Sequence, residues 1–472
     1  MKKLIICLIG SFFIFARAES QFTRYVVKLK NKGNASYTLA NPIAYLSQRS
    51  IDRRTKYGIA IDSTDLPVTP FYVAQIDNVN NVTILNVSKW LNAIAIQTSD
   101  ANAINAINAL PFVQVVVPVA LKLAPTSDSG QGKYILEKNI TPVSITARTS
   151  NIFADFYDYG TYSFNEINLH KGQFLHNIGL RGEGMQIAML DMGYTGYTNL
   201  PSFDSVNANG QVLGTWDFVN HEESVINDAD HGMRCMSTIA ANMPGLFIGK
   251  APKANFWLFK TEDETGEYPI EEFNWACGAE RADSSGTDVI TSSLGYGYDF
   301  DGGVPNYPYS MLDGNTTMSA IAADLAAKKG ILVFNSAGNN GFSSLTHYIT
   351  SPADGDSVVA VGAVSSAGVV GAFSSYGPSG DGQVKPDVAS IGVNALIQVP
   401  GGPLGAGNGT SFACPNMAGL GTVLWQAFPE YNNMRIVRAL REAGSIASAP
   451  NDRIGYGIPD MKVAFSSLLT QF

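Results

Sequence analysis

From about residue 166 onward, short apolar runs alternate with helical segments, and this pattern limits the possible folds more than any other feature of the chain. The runs at 185–190, 288–292, 331–334 and 357–364 have the lengths and side chains of strands buried on both faces. Helical stretches at 233–241, 270–283 and 317–329 lie between them. The alternation predicts an α/β domain, a parallel sheet with helices on both faces. In such sheets ligand sites gather beyond the carboxyl ends of the strands.

The preceding hundred or so residues read differently. A strand at 23–30 carries Tyr25, Val26, Val27 and Leu29. Asn41 and Pro42 form a helix start signal, and Gly58 a stop. A second strand is expected at 89–98, a helix through Ile104, Ile107 and Leu110, and a last β-rich run at 112–117. The outline is that of a small α+β, ferredoxin-like unit, and it holds no catalytic constellation. The stretch Pro125-Thr126-Ser127-Asp128-Ser129-Gly130-Gln131-Gly132 is polar and without period, as in an exposed linker, where proteolysis concentrates.

Residues 1–18 read as a leader. Lys2 and Lys3 precede an apolar run at 4–15 and a small-x-small site, Ala16-Arg17-Ala18. Cys7 lies mid-run, in the wrong context for lipid attachment. No later stretch approaches the ~20 apolar residues of a membrane span, so the expected location is secreted or periplasmic. The 472 residues are 45% hydrophobic, enough for a large core, and a net charge of -9 argues against a nucleic-acid partner. Beyond the leader remain Cys235, Cys277 and Cys414, an odd number with no zinc-site spacing. His221-Glu222 opens like a zinc-protease motif, but Val225 stands where its second histidine belongs.

Four residues carry the expected chemistry. Asp191 ends the run at 185–190, at a strand's carboxyl end. His231 opens a helix in Asp230-His231-Gly232 and is one of five histidines. Ser411 lies in Gly409-Thr410-Ser411-Phe412-Ala413-Cys414-Pro415. Proline is suited to the first turn of a helix, so a helix begins close to Ser411, whose N–H then joins the unpaired donors of a helix N-terminus. Asn339, in Ser336-Ala337-Gly338-Asn339-Asn340-Gly341, offers a side-chain amide to a developing oxyanion. Each alone has a plainer explanation: a turn aspartate, a structural histidine, an N-cap serine, an Asn-Gly turn.

Together they resemble the subtilases. Gly-Thr-Ser-Phe-Ala before a proline, Asp-x-Gly after a strand and a His-Gly pair between them follow that family's arrangement and its chain order Asp, His, Ser. Val361-Gly362-Ala363-Val364, Phe373-Ser374-Ser375-Tyr376-Gly377-Pro378 and Lys385-Pro386-Asp387-Val388 are similar to its later core segments. The resemblance implies a subtilisin-like catalytic domain at 166–472, a linker at 122–165 and an inhibitory prodomain at 19–121. It further implies a serine endopeptidase with Ser411 as nucleophile, His231 as base, Asp191 orienting the imidazole and Asn339 at the oxyanion. Substrate is then an extended protein or peptide, bound along Ser293, Leu294 and Gly295 and beside Ala337 and Gly338, and the prodomain is an intramolecular inhibitor. No catalytic cofactor is implied; structural calcium is common in the family, but no contiguous acidic loop marks a site, and Asp228, Asp230, Glu262, Asp263 and Glu264 read as solvated surface charge. Met192 and Met233 stand where the family usually has hydroxyl residues, and Cys235 matches the free cysteine of proteinase-K-like members. Two rivals are a subtilase-fold binding protein without turnover and a lipase or esterase. The latter would want glycine where Ala413 stands.

Overall fold

A computed structural model describes residues 22–33, 36–121, 135–143, 155–227, 229–301 and 304–470. The leader, the linker stretch 125–132 and Asp228 lie outside the described residues.

The amino-terminal unit is built from β1 (Phe22–Leu29), α1 (Gln48–Tyr57), α2 (Pro70–Asp77), β2 (Thr83–Ser88), β3 (Ala93–Gln97), α3 (Ala101–Asn108) and β4 (Val113–Leu121). Its strands form an antiparallel sheet in the order β2-β3-β1-β4. The α+β outline holds, with corrections. The strand expected at 89–98 is the second arm of a hairpin, β2 having gone unread, and 89–92 is its turn. The helix expected from Asn41 to Gly58 is broken: Pro42–Ala44 is a 3-10 turn, and α1 starts afresh at Ser47, whose side chain accepts from Ser50 N–H. Gly58 stops α1 at φ 66, as expected.

Next come α4 (Ile135–Lys138), β5 (Thr141–Pro142), α5 (Gly160–Leu169), α6 (Gln173–Asn177), β6 (Gln186–Asp191), α7 (Asp204–Ala208) and β7 (Val212–Asp217). They are followed by α8 (His231–Ala240), the short ribbon β8 (Asn242–Met243) and β9 (Phe247–Ile248), β10 (Asn255–Lys260), α9 (Ile270–Ser285) and β11 (Val289–Ser292). The chain ends with α10 (Met318–Lys328), β12 (Leu332–Ser336), β13 (Val359–Val364), β14 (Val388–Ile391), β15 (Ala395–Gln398), β16 (Leu404–Gly407), α11 (Thr410–Ala427), α12 (Asn433–Glu442) and α13 (Met461–Leu469). The central sheet is parallel and seven-stranded, β14-β13-β12-β11-β6-β10-β7. β6 shows why its sequence is apolar throughout: Ile187 and Met189 enter one core with α8 and α11, while Ala188 and Leu190 enter another with α9 and α10. The connection from β10 to β11 passes over β6, so the strand order reverses there and a crevice opens at the carboxyl ends of β6 and β11.

The amino-terminal sheet docks on α9. Val26 and Ala95 join the core of Phe273 and Trp275, whereas Val27, Ile94 and Ile96 face the unit's own Ile76 and Ile107. Polar contacts fix the seat. Glu280 accepts from Ser88 Oγ at 2.5 Å and from the N–H groups of Lys89 and Trp90. Buried Asp283 accepts from both Arg53 and Arg54 at 2.6 Å. Buried pairs of this kind orient an interface, since losing one partner strands the other charge.

Candidate active site

Asp191 is the last residue of β6, and His231 the first of α8. Gly232 lets them meet: a Cβ there would lie 2.9 Å from Asp191 Cβ and 2.7 Å from Gly193 O. The imidazole Nδ1 donates to Asp191 Oδ1 at 2.5 Å, and the same oxygen accepts from Met192 N–H at 2.8 Å. A charge-assisted bond of this kind orients the ring and keeps a proton on Nδ1. Met233 is fully buried in the core beneath, and Met192 borders the cleft.

Ser411 lies one residue into α11, so the helix begins close to it, as expected. Gly409, not Ser411, is the N-cap, and Pro415 falls in the second turn. Proline lacks the N–H that would bond to the carbonyl four residues back. That carbonyl belongs to Ser411; Ser293 Oγ donates to it at 2.8 Å and Cys235 Sγ at 3.3 Å. The substitute bonds tie the serine's backbone to β11 and α8. Ser411 Oγ in turn donates to Ser293 O at 3.3 Å, and the Phe412 ring lies 6.5 Å from that of His231. Gly419 and Gly421 admit Lys250 and the Phe334 ring, as the close approach of α11 requires.

Asn339 is also fixed. Its Oδ1 accepts from Thr410 N–H at 2.9 Å and Thr410 Oγ at 3.0 Å, which turns Nδ2 toward the cleft. Ser293, Leu294 and Gly295 follow β11, and Ala337 and Gly338 follow β12. With Ser411 and Asn339, all of these but Ala337 border a cavity of about 530 Å³; Ala337, expected beside the substrate, is instead fully buried and packs with Ile349 and Ala353. Thr350 lies between Gly295 and Gly338: Cβ atoms there would come within 2.1 Å and 3.2 Å of its Oγ1.

One contributor was missed. Glu137, in the stretch read as linker, is 1% exposed. Its Oε2 meets His231 Nε2 at 2.6 Å, and its Oε1 accepts from Asn339 Nδ2 at 2.9 Å. Burial alone would lower the His231 pKa, but the carboxylates of Asp191 and Glu137 outweigh it and raise it to about 10. His170 and His176, by contrast, are structural histidines that burial holds down near 4.

The acidic residues need correcting too. Glu262 is fully buried and accepts from Tyr296 OH at 2.6 Å; Asp263 is 7% exposed and pairs with Arg24 at 2.7 Å. Neither is solvated surface charge. Glu262, Glu267 and Glu271 form a buried acidic group with oxygens within 4.8 Å of one another. Glu271 is engaged by the N–H groups of Asp263 and Tyr268. Cys235, Cys277 and Cys414 are free and buried. Burial pushes the Cys235 thiol well above its ordinary value, leaving a small packed group beside Asp191 and His231.

Comparison with known proteins accords with this geometry. The chain is 33% identical over 270 residues to Subtilisin NAT of Bacillus subtilis subsp. natto, covering 56% of this chain and 62% of that one. It is equally similar to Subtilisin of Bacillus pumilus, of which it covers 86%. A solved structure, that of the prenylagaramide maturation protease PagA, aligns with TM-score 0.49 and 21% identity over 63% of this chain and 98% of that one. Residues 24–133 match the Peptidase S8 propeptide domain, Bacteroidota. With residues 136–457 matching the Subtilase family, well over half its length, the chain belongs to that family.

Proposed function

We propose that this protein is a secreted or periplasmic serine endopeptidase, made as a precursor that processes itself, acting through Asp191, His231 and Ser411. The observation that carries the reading is the 2.5 Å Asp191–His231 bond, set beside a serine at a helix N-terminus. In the reaction, neutral His231 takes the Ser411 proton as Oγ attacks the peptide carbonyl, giving a tetrahedral oxyanion. Asn339 Nδ2 and the Ser411 N–H stabilise that charge; the loss of one such donor costs subtilisin roughly 10²–10³ in rate. The imidazolium gives its proton to the leaving amine, and the acyl-enzyme is then hydrolysed by water through the same base. The leader pattern at 1–18 supports export.

Self-processing has a direct test. Expressed without residues 1–18, the wild-type chain is expected to lose roughly a hundred residues by a cut between about 120 and 132, as the compact unit at 19–121 separates at its linker. Ser411→Ala should persist as full precursor, and the isolated unit should inhibit in trans. Equal processing of both chains in a protease-free host would overturn self-processing. A Ser411→Ala chain that resists cutting while wild type also stays uncut and unreactive to fluorophosphonates would favour a binding protein of the same fold.

The cavity suggests which peptides are cut. Its lining includes the carboxylates of Asp263, Glu264, Glu267, Glu271, Asp299 and Asp301, and no lysine or arginine among the described residues. Asp263 is already paired with a guanidinium, that of Arg24, which departs with the amino-terminal unit. Thr350, 5% exposed, has a hydroxyl with no hydrogen-bond partner among the described residues, and it fills the space between Gly295 and Gly338. A mixed peptide library should therefore show Lys or Arg favoured over Asp or Glu upstream of the cut by about fivefold, the worth of roughly 1 kcal/mol of ion pairing. At the cut itself, small hydrogen-bonding side chains should outnumber large aromatic ones. A preference for acidic upstream residues would overturn this reading of the cleft.

A further inference from the structure

Glu137 belongs to none of the sequence features assigned to catalysis, yet its carboxylate spans the centre of the cleft. One oxygen is bonded to His231 Nε2, the nitrogen that must accept the serine proton, and the other to Asn339 Nδ2, the donor meant for the oxyanion. Two groups needed for the reaction are engaged by one side chain. We propose that Glu137 is an intramolecular inhibitor of the catalytic centre, bridging the base and the oxyanion donor until its segment withdraws. The proposal rests on the protease reading above.

The fit is built by several elements. Gly409 makes room for the carboxylate: a Cβ there would lie 2.6 Å from Glu137 Oε1. Arg234, on α8, donates to the Glu137 carbonyl at 3.2 Å and so holds the backbone of α4 over the cleft. Farther on, Thr141 and Pro142 pair with Ala406 and Gly405 of β16, and Ile140 packs on the main core. These anchors all belong to the catalytic domain. A cut between 120 and 132 therefore releases the amino-terminal unit and leaves Glu137 attached to its own seat. Activation then has two stages, departure of the docked unit and withdrawal of one side chain.

The chemistry of the bridge explains how it inhibits. With Asp191 on one nitrogen and Glu137 on the other, the imidazole is held as a cation, both ring nitrogens donating, and a cation cannot take a proton from Ser411. The seat at Asn339 is equally lost, because a substrate oxygen needs the same amide hydrogen. Because the inhibitor is tethered, its effective concentration is high and dilution does not relieve it. Only the fraction of molecules with Glu137 displaced can bind a peptide productively, so the apparent KM rises by the reciprocal of that fraction.

The test compares wild type, Glu137→Gln, Glu137→Ala and Ser411→Ala, each as the full chain without its leader, before and after processing. The readouts are the rate of labelling by a fluorophosphonate and the KM and kcat for a short peptide. Glu137→Ala is expected to label roughly tenfold faster or more, the worth of a charge-assisted buried hydrogen bond, and to lower KM with kcat little changed. Glu137→Gln, isosteric and so safe for folding, should fall between, since it keeps the bonds but not the charge. Labelling of both variants at the wild-type rate, with Ser411→Ala unlabelled, would overturn the inhibitory role and leave the protease reading standing. If no chain labels above Ser411→Ala, the protease reading falls and this proposal with it.

Discussion

Ser411→Ala is expected to lower kcat for peptide hydrolysis by about 10⁶, the loss found when subtilisin's nucleophile is removed, while leaving the fold unchanged. The size follows from the proposed mechanism, in which without Oγ there is no acyl-enzyme, and His231 and Asp191 have nothing to activate. What remains, roughly 10³–10⁴ over water, would come from the oxyanion donors and from binding alone. The fold should survive for a local reason. Ser411 holds its neighbours through its backbone carbonyl, which accepts from Ser293 and Cys235, and the substitution keeps that carbonyl. The measurement is kcat on a purified chain with its circular dichroism spectrum alongside. Hydrolysis at the wild-type rate would remove Ser411 from the reaction.

Asp191→Asn should be nearly as severe, a fall of about 10⁴ in kcat, because the carboxylate determines which imidazole nitrogen carries the proton. Its Oδ1 accepts from His231 Nδ1 and from the Met192 N–H, so an amide nitrogen at that place would oppose two donors. With the amide nitrogen facing the ring, His231 takes the other tautomer, Nδ1 accepting and the proton on Nε2, where the serine needs an acceptor. Asp191 is 1% exposed and sits behind the ring, so KM should move little. A rise in KM with kcat intact would assign it a substrate-binding role instead.

Much of this was legible beforehand because the signals are local. The apolar runs became β6, β11, β12 and β13 within a few residues of their expected ends, since strands covered on both faces can hold little else. Asp191 and His231 fell at a strand end and a helix start for the same reason. Pro415 located the start of α11 near Ser411 but lies in the second turn rather than the first, because a missing helical N–H is costly only if the orphaned carbonyl has no other donor, and here side chains from two distant segments supply it. The single helix expected over 42–57 failed on competing caps, with Ser47 stronger than Asn41 once a 3-10 turn intervened.

Charge was the least legible property. Glu262 and Asp263 look like any acidic surface stretch, and their burial depends on Tyr296 and on Arg24, remote in sequence. Glu137 carries no signal at all, since nothing in Ile135-Leu136-Glu137-Lys138 distinguishes it from a solvated helix end. By itself the sequence determined the two-unit organisation, the sheet with its helices, and which residue types were available for chemistry, because periodicity, caps and short motifs act over a few residues. Only the tertiary structure decided which of them meet: that Glu137 reaches across from the linker to His231 and Asn339, and that Arg24 covers Asp263. Such contacts join groups up to two hundred residues or more apart along the chain, and their energy depends on burial, which no local pattern encodes.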